Sequence, residues 1–555
     1  MQKSKMSPSA AFMSVLGSPS SRQYTFGDAV LAGWAEDGGM LWPTHIPRLS
    51  VSDLAGWSAL TYPELVASVL KLFLPQDDPD MTHADVDRIV MSAFDSFGRS
   101  SVVELQTVSS SEADAASSLH IAELWHGPTL AFKDLGMSVL GRVLSHLLER
   151  RKERLTLLVG TSGDTGSSAI EAVRGLPNLQ VVVLYPLQGF SSITAVQERQ
   201  MTSVAEVEAN VHVVGVEGSS DDLDVPMEAC FRDAAFKRAH ALGSVNSVNV
   251  IRLLVQAVHY FYTYLKLRPT ADGTVQFAVP CGAGGHLAAG LLALRMGLPA
   301  RLIASTNAND AMHRLLSTGT LRQGAHTQPT ISPSMDIQMP YNVWRMLFVA
   351  SGGSGAAVRA WQGDLARSHA VQLPEAVRAY TQQYVRSVSV GDGETAATIR
   401  HVRAASGYVL DPHTAVGVAA ALRSPFGRRV DGAAEPIICM GCAHAVKFLP
   451  AVARALGCSM EEALRASCGE GTPPHRCVRA VADMAWRLQL GGEPSTAEKA
   501  TPPGCTAVFR RADLAGWEAQ LRRLVSSVAA TDESGGASGR ATGGTRRGSE
   551  VRSRL

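Results

Sequence analysis

The sequence predicts an α/β protein in which parallel strands are covered by helices. Two segments, residues 155–185 and residues 275–305, carry this prediction. Each has a short apolar run, a glycine-containing loop, a stretch of helical composition and a second apolar run. This pattern is typical of a βαβ unit, because parallel strands need a crossover between them. We therefore expect parallel-rich sheets, with a glycine-rich loop between a strand and a helix in each unit.

The length and composition are those of a large globular protein. Single hydrophobic cores stop growing beyond about 250–300 residues, so a chain of 555 residues should form at least two lobes. Hydrophobic residues make up 46% of the chain and charged residues 18%. The formal net charge of +1 gives no reason to expect a nucleic-acid partner. No uninterrupted apolar run reaches the roughly 18 residues of a membrane span, so we expect a soluble protein with no membrane partner.

The eight cysteines are too sparse for a disulfide scaffold in a chain of this length, which indicates a reducing compartment. Cys439 and Cys442 have the spacing of a redox motif, and His444 adds a third potential metal ligand. A thioredoxin-type motif would open a helix, whereas Cys439 falls inside the strand-like run at residues 436–440. We expect buried thiols here, with redox or zinc use as the alternative.

The segment at residues 126–134 reads HGPTLAFKD and offers one lysine, Lys133, among mostly apolar and small residues. Burial lowers the pKa of an ammonium group, and only the neutral amine can attack an aldehyde. Lys133 is therefore a candidate for the imine chemistry that pyridoxal phosphate (PLP) enzymes use. The alternative is a lysine at a helix start whose ammonium group reaches solvent.

The two glycine-rich loops are candidate anion sites. The loop CGAGGH at residues 281–286 allows close backbone approach, and the following helix supplies unpaired N–H groups. It is not a dinucleotide-binding fingerprint, because Leu287 replaces the third glycine. The loop SGDTG at residues 162–166 offers two hydroxyls and a carboxylate, and its alternative role is to cap a helix.

A third polar group precedes the apolar helix-like stretch at residues 253–265. It consists of Asn246, Ser247, Asn249 and Arg252. The forked guanidinium of Arg252 suits a phosphate or a carboxylate, and a surface salt bridge is the alternative.

Six sequence blocks follow one another over roughly residues 25–455. They are GWAEDGG at 33–39, HGPTLAFKD at 126–134, TSGDTG at 161–166, NSVN at 246–249 with Arg252, SPSMDI at 332–337 and LDPHTAVG at 410–417. This ordered set resembles the threonine synthase family of fold-type-II PLP enzymes, and six ordered blocks rarely occur together by chance. The resemblance implies a tryptophan synthase beta-like fold with two α/β lobes and an N-terminal family domain.

The resemblance also implies a PLP cofactor and roles for the residues of these blocks. Lys133 would bind the cofactor covalently and serve as the base at the substrate Cα. The cofactor would contact Lys133, Gly282, Ala283, Gly284, Gly285, His286 and Cys442. The substrate would contact Ser162, Gly163, Asp164, Thr165, Asn246, Ser247, Asn249 and Arg252, and no metal is implied.

Four of these positions depart from the family pattern. Many members carry Gly-Asn-Phe-Gly-Asn in the phosphate loop, so Ala283, Gly284 and His286 leave the backbone contacts intact and change the side-chain contacts. Cys442 stands where a family threonine faces the pyridine nitrogen, and a thiol is a weaker hydrogen-bond donor than a hydroxyl. The alternative for Cys442 is a buried structural thiol.

The implied activity is that of a threonine synthase, which converts O-phospho-L-homoserine and water to L-threonine and phosphate. The stretch MDIQMPYN at residues 335–342 and the altered phosphate loop look closer to the threonine synthase-like 2 branch. That branch implies a phospholyase that releases phosphate and 2-ketobutyrate from the same substrate. A third alternative is a catalytically inactive PLP-fold regulatory protein, which the intact lysine motif argues against.

The domain organisation follows from the blocks and from composition. We expect an N-terminal threonine synthase domain at 1–110, a PLP-binding catalytic core at 111–530 with a loop-rich addition around 458–505, and a disordered tail at 531–555. We expect a monomer or a homodimer in the cytoplasm. The alternative location is a peroxisome-type organelle, because Ser553, Arg554 and Leu555 resemble a peroxisomal address.

Overall fold

The computed structural model describes residues 11–18, 20–108, 119–220, 222–267, 273–323, 326–423, 426, 435–469, 476–489 and 502–535. Most of the expected tail and the whole candidate address at 553–555 lie outside the described residues. The first five residues of the expected tail, 531–535, form the end of the last helix.

The structure alternates strands and helices along the described chain. The strands are β1 (Phe12–Ser14), β2 (Gln23–Tyr24), β3 (Leu41–Pro43), β4 (Glu104–Thr107), β5 (Leu119–Glu123), β6 (Leu155–Gly160), β7 (Leu179–Pro186), β8 (Val211–Val216), β9 (Leu242–Gly243), β10 (Val275–Pro280), β11 (Ala300–Thr306), β12 (Thr320–Arg322), β13 (Ala370–Gln372), β14 (Val385–Ser389), β15 (Ile437–Gly441) and β16 (Ala507–Phe509). The helices are α1 (Phe26–Ala32), α2 (Val51–Trp57), α3 (Tyr62–Lys71), α4 (His83–Ala93), α5 (Lys133–Arg151), α6 (Asp164–Val173), α7 (Ala195–Ala205), α8 (Asp224–Arg232), α9 (Ala234–Ala239), α10 (Val250–Leu267), α11 (Gly285–Arg295), α12 (Ala311–Thr318), α13 (Val343–Ala350), α14 (Gly355–Ser368), α15 (Glu375–Tyr384), α16 (Asp392–Ser406), α17 (Pro412–Arg423), α18 (Leu449–Leu456), α19 (Met460–Cys468), α20 (Arg476–Gln489) and α21 (Trp517–Gly535).

Two parallel-rich sheets form the two lobes. The first has the strand order β14-β11-β10-β15-β5-β4, and only β4 runs antiparallel to its neighbour. The second has the order β16-β8-β7-β6-β9 and is parallel throughout. All residues of β7 and β10 are buried, as expected for strands covered by helices on both faces. The predicted βαβ units are confirmed as β6-α6-β7 and β10-α11-β11.

The N-terminal region packs directly onto the helices of the core. It contains a small antiparallel sheet of order β2-β1-β3 and helices α1 to α4. Tyr62 of α3 meets Tyr262 of α10 edge to face, with ring centroids 5.3 Å apart. Arg151 of α5 forms ion pairs with Asp28 and Asp80. These contacts fix the N-terminal elements against two helices whose first residues lie near the candidate site.

The stretch 458–505 is not loop-rich throughout, because its described part contains α19 and α20. A capping box starts α19: Ser459 and Glu462 exchange side-chain and backbone hydrogen bonds. Helix α20 buries Cys477, Val478 and Val481 in one apolar cluster. These positions have the spacing of one face of a helix. Glycine and proline at residues 469–474 and 491–503 favoured a loop interpretation, whereas residues 477–481 between them have an amphipathic pattern. Among the described residues, no helix combines the length and apolar character needed to cross a bilayer.

Candidate active site

Lys133 is the first residue of α5 and is held there by a hydrogen-bonded turn. The carboxylate of Asp134 accepts from the Thr129 backbone N–H at 2.8 Å and from the Thr129 hydroxyl at 2.6 Å. The backbone N–H of Phe132 donates to the Cys442 carbonyl at 2.8 Å. The residue Lys133 is 8% exposed, and burial lowers the pKa of its ammonium group although Asp164 opposes the effect. These bonds fix the backbone beside Lys133, and burial shifts its side chain in the direction of the neutral amine.

One cavity brings Lys133 together with most of the residues expected at the site. The expected residues that line it are Lys133, Ser162, Asp164, Thr165, Asn246, Ser247, Arg252, Gly282, Ala283, Gly284, Gly285, His286 and Cys442. The cavity also borders Ser334, Tyr341 and His413, which sequence reasoning did not assign.

Two of the expected substrate contacts do not line this cavity. Asn249 is fully buried, and its amide donates to the carbonyls of Val30 at 2.9 Å and Ser244 at 3.3 Å. Its amide therefore fixes the start of α10, and Asn249 does not line the cavity. Gly163 has a φ of 134°, and a Cβ there would lie 2.5 Å from the Gln197 amide nitrogen. Its place in the motif reflects this backbone conformation and close packing.

The loop before α11 has the form of an anion cradle. Gly284 has a left-handed φ of 77°, which turns the chain from β10 into the helix. A Cβ on Gly285 would lie 2.9 Å from the Ser247 Cβ. The first N–H groups of a helix have no intrahelical acceptors and carry the positive end of its dipole. The backbone of this loop therefore fits a phosphate group, and no side chain larger than hydrogen fits at Gly285 without a shift.

Two neighbouring polar side chains hold the cradle in shape. Asn342 donates its amide to the Ala283 carbonyl at 3.0 Å and to the Ser247 hydroxyl at 2.8 Å. The Tyr341 hydroxyl also lies 2.9 Å from the Ser247 hydroxyl. These residues belong to the segment whose sequence resembles the threonine synthase-like 2 branch, so this segment contacts the cradle directly.

His286 forms a buried pair with a second histidine. Its Nε2 lies 3.1 Å from the Nδ1 of His259, and its ring stacks on Phe132 at 5.3 Å. Burial, aided by the positive charge of Arg252, lowers the pKa of His286 to about 3. His286 is therefore a neutral hydrogen-bonding group at neutral pH.

Asp164 lies between two lysines. Its Oδ2 is 3.6 Å from the Lys133 Nζ, and its Oδ1 is 2.8 Å from the Nζ of Lys447. The side chains of Gln197 and Ser334 donate to the same carboxylate at 2.9 Å and 2.8 Å. Burial alone would raise the pKa of Asp164, but the charges of Lys447 and Lys133 outweigh it and hold this pKa well below its usual value. Asp164 is thus an ionised carboxylate with both oxygens already engaged.

Arg252 brings a second positive group to the cavity. Its guanidinium is buried and donates to the Val245 carbonyl at 3.2 Å, while its Nε has no hydrogen-bond partner among the described residues. Burial lowers the pKa of Arg252 to about 10, which leaves it protonated at neutral pH. The geometry agrees with an anion-binding role.

Cys442 lies on the cavity wall in the loop after β15. Its backbone N–H donates to the Thr414 hydroxyl at 2.9 Å, which ties this loop to α17. Burial raises the pKa of its thiol well above the ordinary value, so Cys442 is an uncharged, weak donor. Cys439 lies inside the fully buried strand β15, where its thiol donates to the Thr414 carbonyl at 3.6 Å.

The glycine cradle fits the phosphate of PLP, and the buried amine of Lys133 fits its aldehyde. The cavity wall that carries the Cys442 thiol fits its ring. Three family models match successive parts of the chain. The model of the threonine synthase N terminus matches residues 12–94, that of pyridoxal-phosphate dependent enzymes matches residues 94–372, and that of the threonine synthase C-terminal region matches residues 414–479. The chain is 37% identical over 431 residues to threonine synthase of Pseudomonas aeruginosa. The aligned region covers 78% of this chain and 87% of that protein. The chain belongs to the threonine synthase family.

Other members of the family show the same range of similarity. Threonine synthase-like 2 of Homo sapiens is 38% identical over 438 residues, covering 77% of this chain and 86% of that protein. The solved threonine synthase from yeast superposes with a TM-score of 0.78 at 29% identity, covering 95% of this chain and 99% of that chain. A PLP-bound threonine synthase from Brucella melitensis gives a TM-score of 0.77 at 32% identity, covering 94% and 100%.

Membership of the threonine synthase family confirms three expectations from the sequence. The protein is a PLP-dependent enzyme, it has the fold of the type II class, and its chemistry is of the lyase type. The identities to threonine synthase and to threonine synthase-like 2 are nearly equal. Overall similarity therefore does not separate the two activities.

Proposed function

We propose that this threonine synthase family member converts O-phospho-L-homoserine and water to L-threonine and phosphate, with PLP bound at Lys133. The observation that carries the proposal is the composition of the cavity. One buried amine, the glycine cradle at the start of α11 and the guanidinium of Arg252 line the same space. The reaction needs a lysine and two anion sites, one for the cofactor phosphate and one for the substrate phosphate.

Five groups would hold the cofactor. They are the Lys133 amine, the backbone of the loop at residues 282–285, the neutral ring of His286, the thiol of Cys442 and the N-terminal N–H groups of α11. When bound, PLP supplies an electron sink for the charge that develops when the Cα proton of the substrate is removed.

Lys133 also carries the proton in this proposal. Burial favours its neutral form, and a neutral amine can both bond to the cofactor aldehyde and accept a proton. Lys133 is fixed at the start of α5, which places its Nζ at one point of the cavity. The same nitrogen would accept the proton from the substrate Cα and later donate a proton back to the substrate.

Separate groups would bind the two ends of the substrate. The guanidinium of Arg252, with Asn246 and Ser247 on the same cavity wall, would bind the phosphate as a charge-assisted site. The hydroxyls of Ser162 and Thr165 at the start of α6 would bind the carboxylate, where the helix dipole favours an anion. Asp164 takes no part in this contact, because an ionised carboxylate repels another.

A second candidate reaction begins with the same substrate and the same residues. Water would then hydrolyse an enamine after phosphate loss, which gives 2-ketobutyrate, ammonia and phosphate. The observation in its favour is that Tyr341 and Asn342, from the segment resembling the threonine synthase-like 2 branch, contact the cradle through Ser247 and Ala283.

Product analysis separates the two reactions. The purified enzyme with PLP is incubated with O-phospho-L-homoserine, and threonine, 2-ketobutyrate and phosphate are quantified over time. The proposal expects threonine and phosphate in equal amounts. Phosphate matched by 2-ketobutyrate would replace it with the phospholyase reaction, and no phosphate release would reject both.

A further inference from the structure

Lys447 is a second buried lysine in contact with the candidate active site. It lies in a short helical turn, Ala445–Phe448, in the loop that also carries Cys442. Its side chain is fully buried, and it does not line the cavity. Lys447 lies five residues after Cys442 in the sequence, and the family resemblance gave it no role.

The contact between Lys447 and Asp164 is an ion pair. The Nζ lies 2.8 Å from Oδ1, although the alignment is not that of a hydrogen bond. Lys133 faces the other oxygen, Oδ2, at 3.6 Å. Asp164 is therefore shared by two ammonium groups, one on the cavity wall and one outside it.

The charges of these three groups determine what happens when Lys133 loses its proton. With Lys447 present, a neutral Lys133 leaves one buried cation beside one buried anion. Without Lys447, a neutral Lys133 would leave Asp164 as a buried carboxylate with no adjacent cation, which is costly in a protein interior. The protonated form of Lys133 would then be favoured.

We propose that Lys447 is a positioning residue whose ammonium group balances Asp164, so that Lys133 can lose its proton and react as a neutral amine. This inference rests on the proposed function, in which Lys133 binds PLP. Lys447 acts through Asp164 and touches neither cofactor nor substrate.

The other charged and titratable groups around this triad do not supply the same balance. Arg252 and Cys442 face Lys133 from α10 and from the loop after β15. His413 faces Asp164 from α17, and its Nε2 accepts from the Ser334 backbone N–H. The charge of Lys447 also acts on Asp134 of α5. The carboxylate of Asp134 already accepts hydrogen bonds from the backbone and the hydroxyl of Thr129.

The test is the pH dependence of cofactor attachment, which does not require turnover. Full-length enzyme freed of cofactor is mixed with saturating PLP, and the visible absorbance of the lysine-bound cofactor is followed at a series of pH values. Lys447→Met should move the midpoint of the rate profile to higher pH by about one to three units. At neutral pH this is a loss of roughly tenfold or more in attachment rate.

Two further variants separate charge balance from a structural role. Lys447→Arg keeps the charge and should leave the midpoint near that of the wild type. The double variant Asp164→Asn with Lys447→Met removes both charges and should also restore the midpoint. If Lys447→Met fails to fold, as judged by circular dichroism, the double variant still tests the inference, because an alkaline shift that persists without Asp164 would overturn it.

Several outcomes would overturn the inference. They are an unchanged midpoint in Lys447→Met, an equal shift in Lys447→Arg, and a double variant that keeps the alkaline shift. Failure of the wild type to attach PLP would instead reject the proposed function, so the two failures are distinguishable.

Discussion

At the scale of single residues, Lys133 is the position on which the proposed chemistry depends. Lys133→Ala removes both the group that bonds to the cofactor and the base, and Lys447 cannot replace it because it does not line the cavity. We expect the visible absorbance of lysine-bound PLP to disappear and turnover of O-phospho-L-homoserine to fall below about a thousandth of wild type. Activity above that level would show that another group is the base.

Cys442 provides a second residue-scale prediction. If its thiol faces the pyridine nitrogen, Cys442→Thr should leave PLP bound and keep or raise turnover, because a hydroxyl is the better hydrogen-bonding partner. Cofactor content and turnover are measured beside Cys458→Thr, a matched thiol replacement at a position that does not line the cavity. Loss of cofactor in Cys442→Thr alone would mean that this side chain has a different role.

The sequence predicted residues of the site only where they belong to a short, recognisable motif. The lysine motif and both glycine loops were identified in this way, and the structure brings them to one cavity. The sequence motif did not show that the amide of Asn249 donates to two backbone carbonyls. Lys447 was missed because its partner Asp164 lies 283 residues away in the chain, and no local pattern links the two.

At the scale of elements, the start of α11 is the part most sensitive to added volume. Gly285→Val would place a Cβ 2.9 Å from the Ser247 Cβ and displace the loop. We expect PLP affinity to fall at least about tenfold, or 1.4 kcal/mol, in a titration followed by absorbance. The matched control is Gly393→Val in α16, where a Cβ meets no atom within 4 Å. Equal affinities in the two variants would contradict a backbone cradle.

The elements themselves were predicted unevenly. The two βαβ units were correct, because a buried parallel strand, a glycine loop and a helix leave a local signal over about 30 residues. Helices α19 and α20 were missed, because the flanking glycines and prolines outweighed the apolar spacing of Cys477, Val478 and Val481. Their amphipathic face becomes clear only with the cluster against which they pack.

At the scale of the whole molecule, Arg345 of α13 connects the N-terminal region to the cofactor cradle. Its buried guanidinium donates to the carbonyl of Leu41 in β3 at 3.1 Å and to that of Ser247 at 2.9 Å. It also donates to Asn342, which holds the cradle, at 2.8 Å. The sequence predicted two lobes and an N-terminal domain, but this connection spans 304 residues and could not be read from local pattern.

Arg345→Met should therefore weaken folding and cofactor binding together. Several buried acceptors would lose their donor, and each unpaired group costs about 1–3 kcal/mol. We expect a lower temperature of unfolding and a lower PLP affinity, measured by thermal denaturation and by cofactor titration. The control is Arg359→Met at an exposed position of α14, where surface substitutions usually change stability by no more than about 0.5 kcal/mol. Reduced stability with unchanged PLP affinity would show that the cradle does not depend on this connection.

The proposed function depends most directly on PLP bonding to Lys133 and not to the neighbouring buried Lys447. Borohydride reduces the carbon–nitrogen double bond between a lysine and the cofactor to a stable single bond, and proteolysis with mass spectrometry then locates the modified residue. We expect the cofactor on the peptide containing Lys133 and on no other. Cofactor on Lys447, or no modified lysine in the PLP-loaded enzyme, would contradict it.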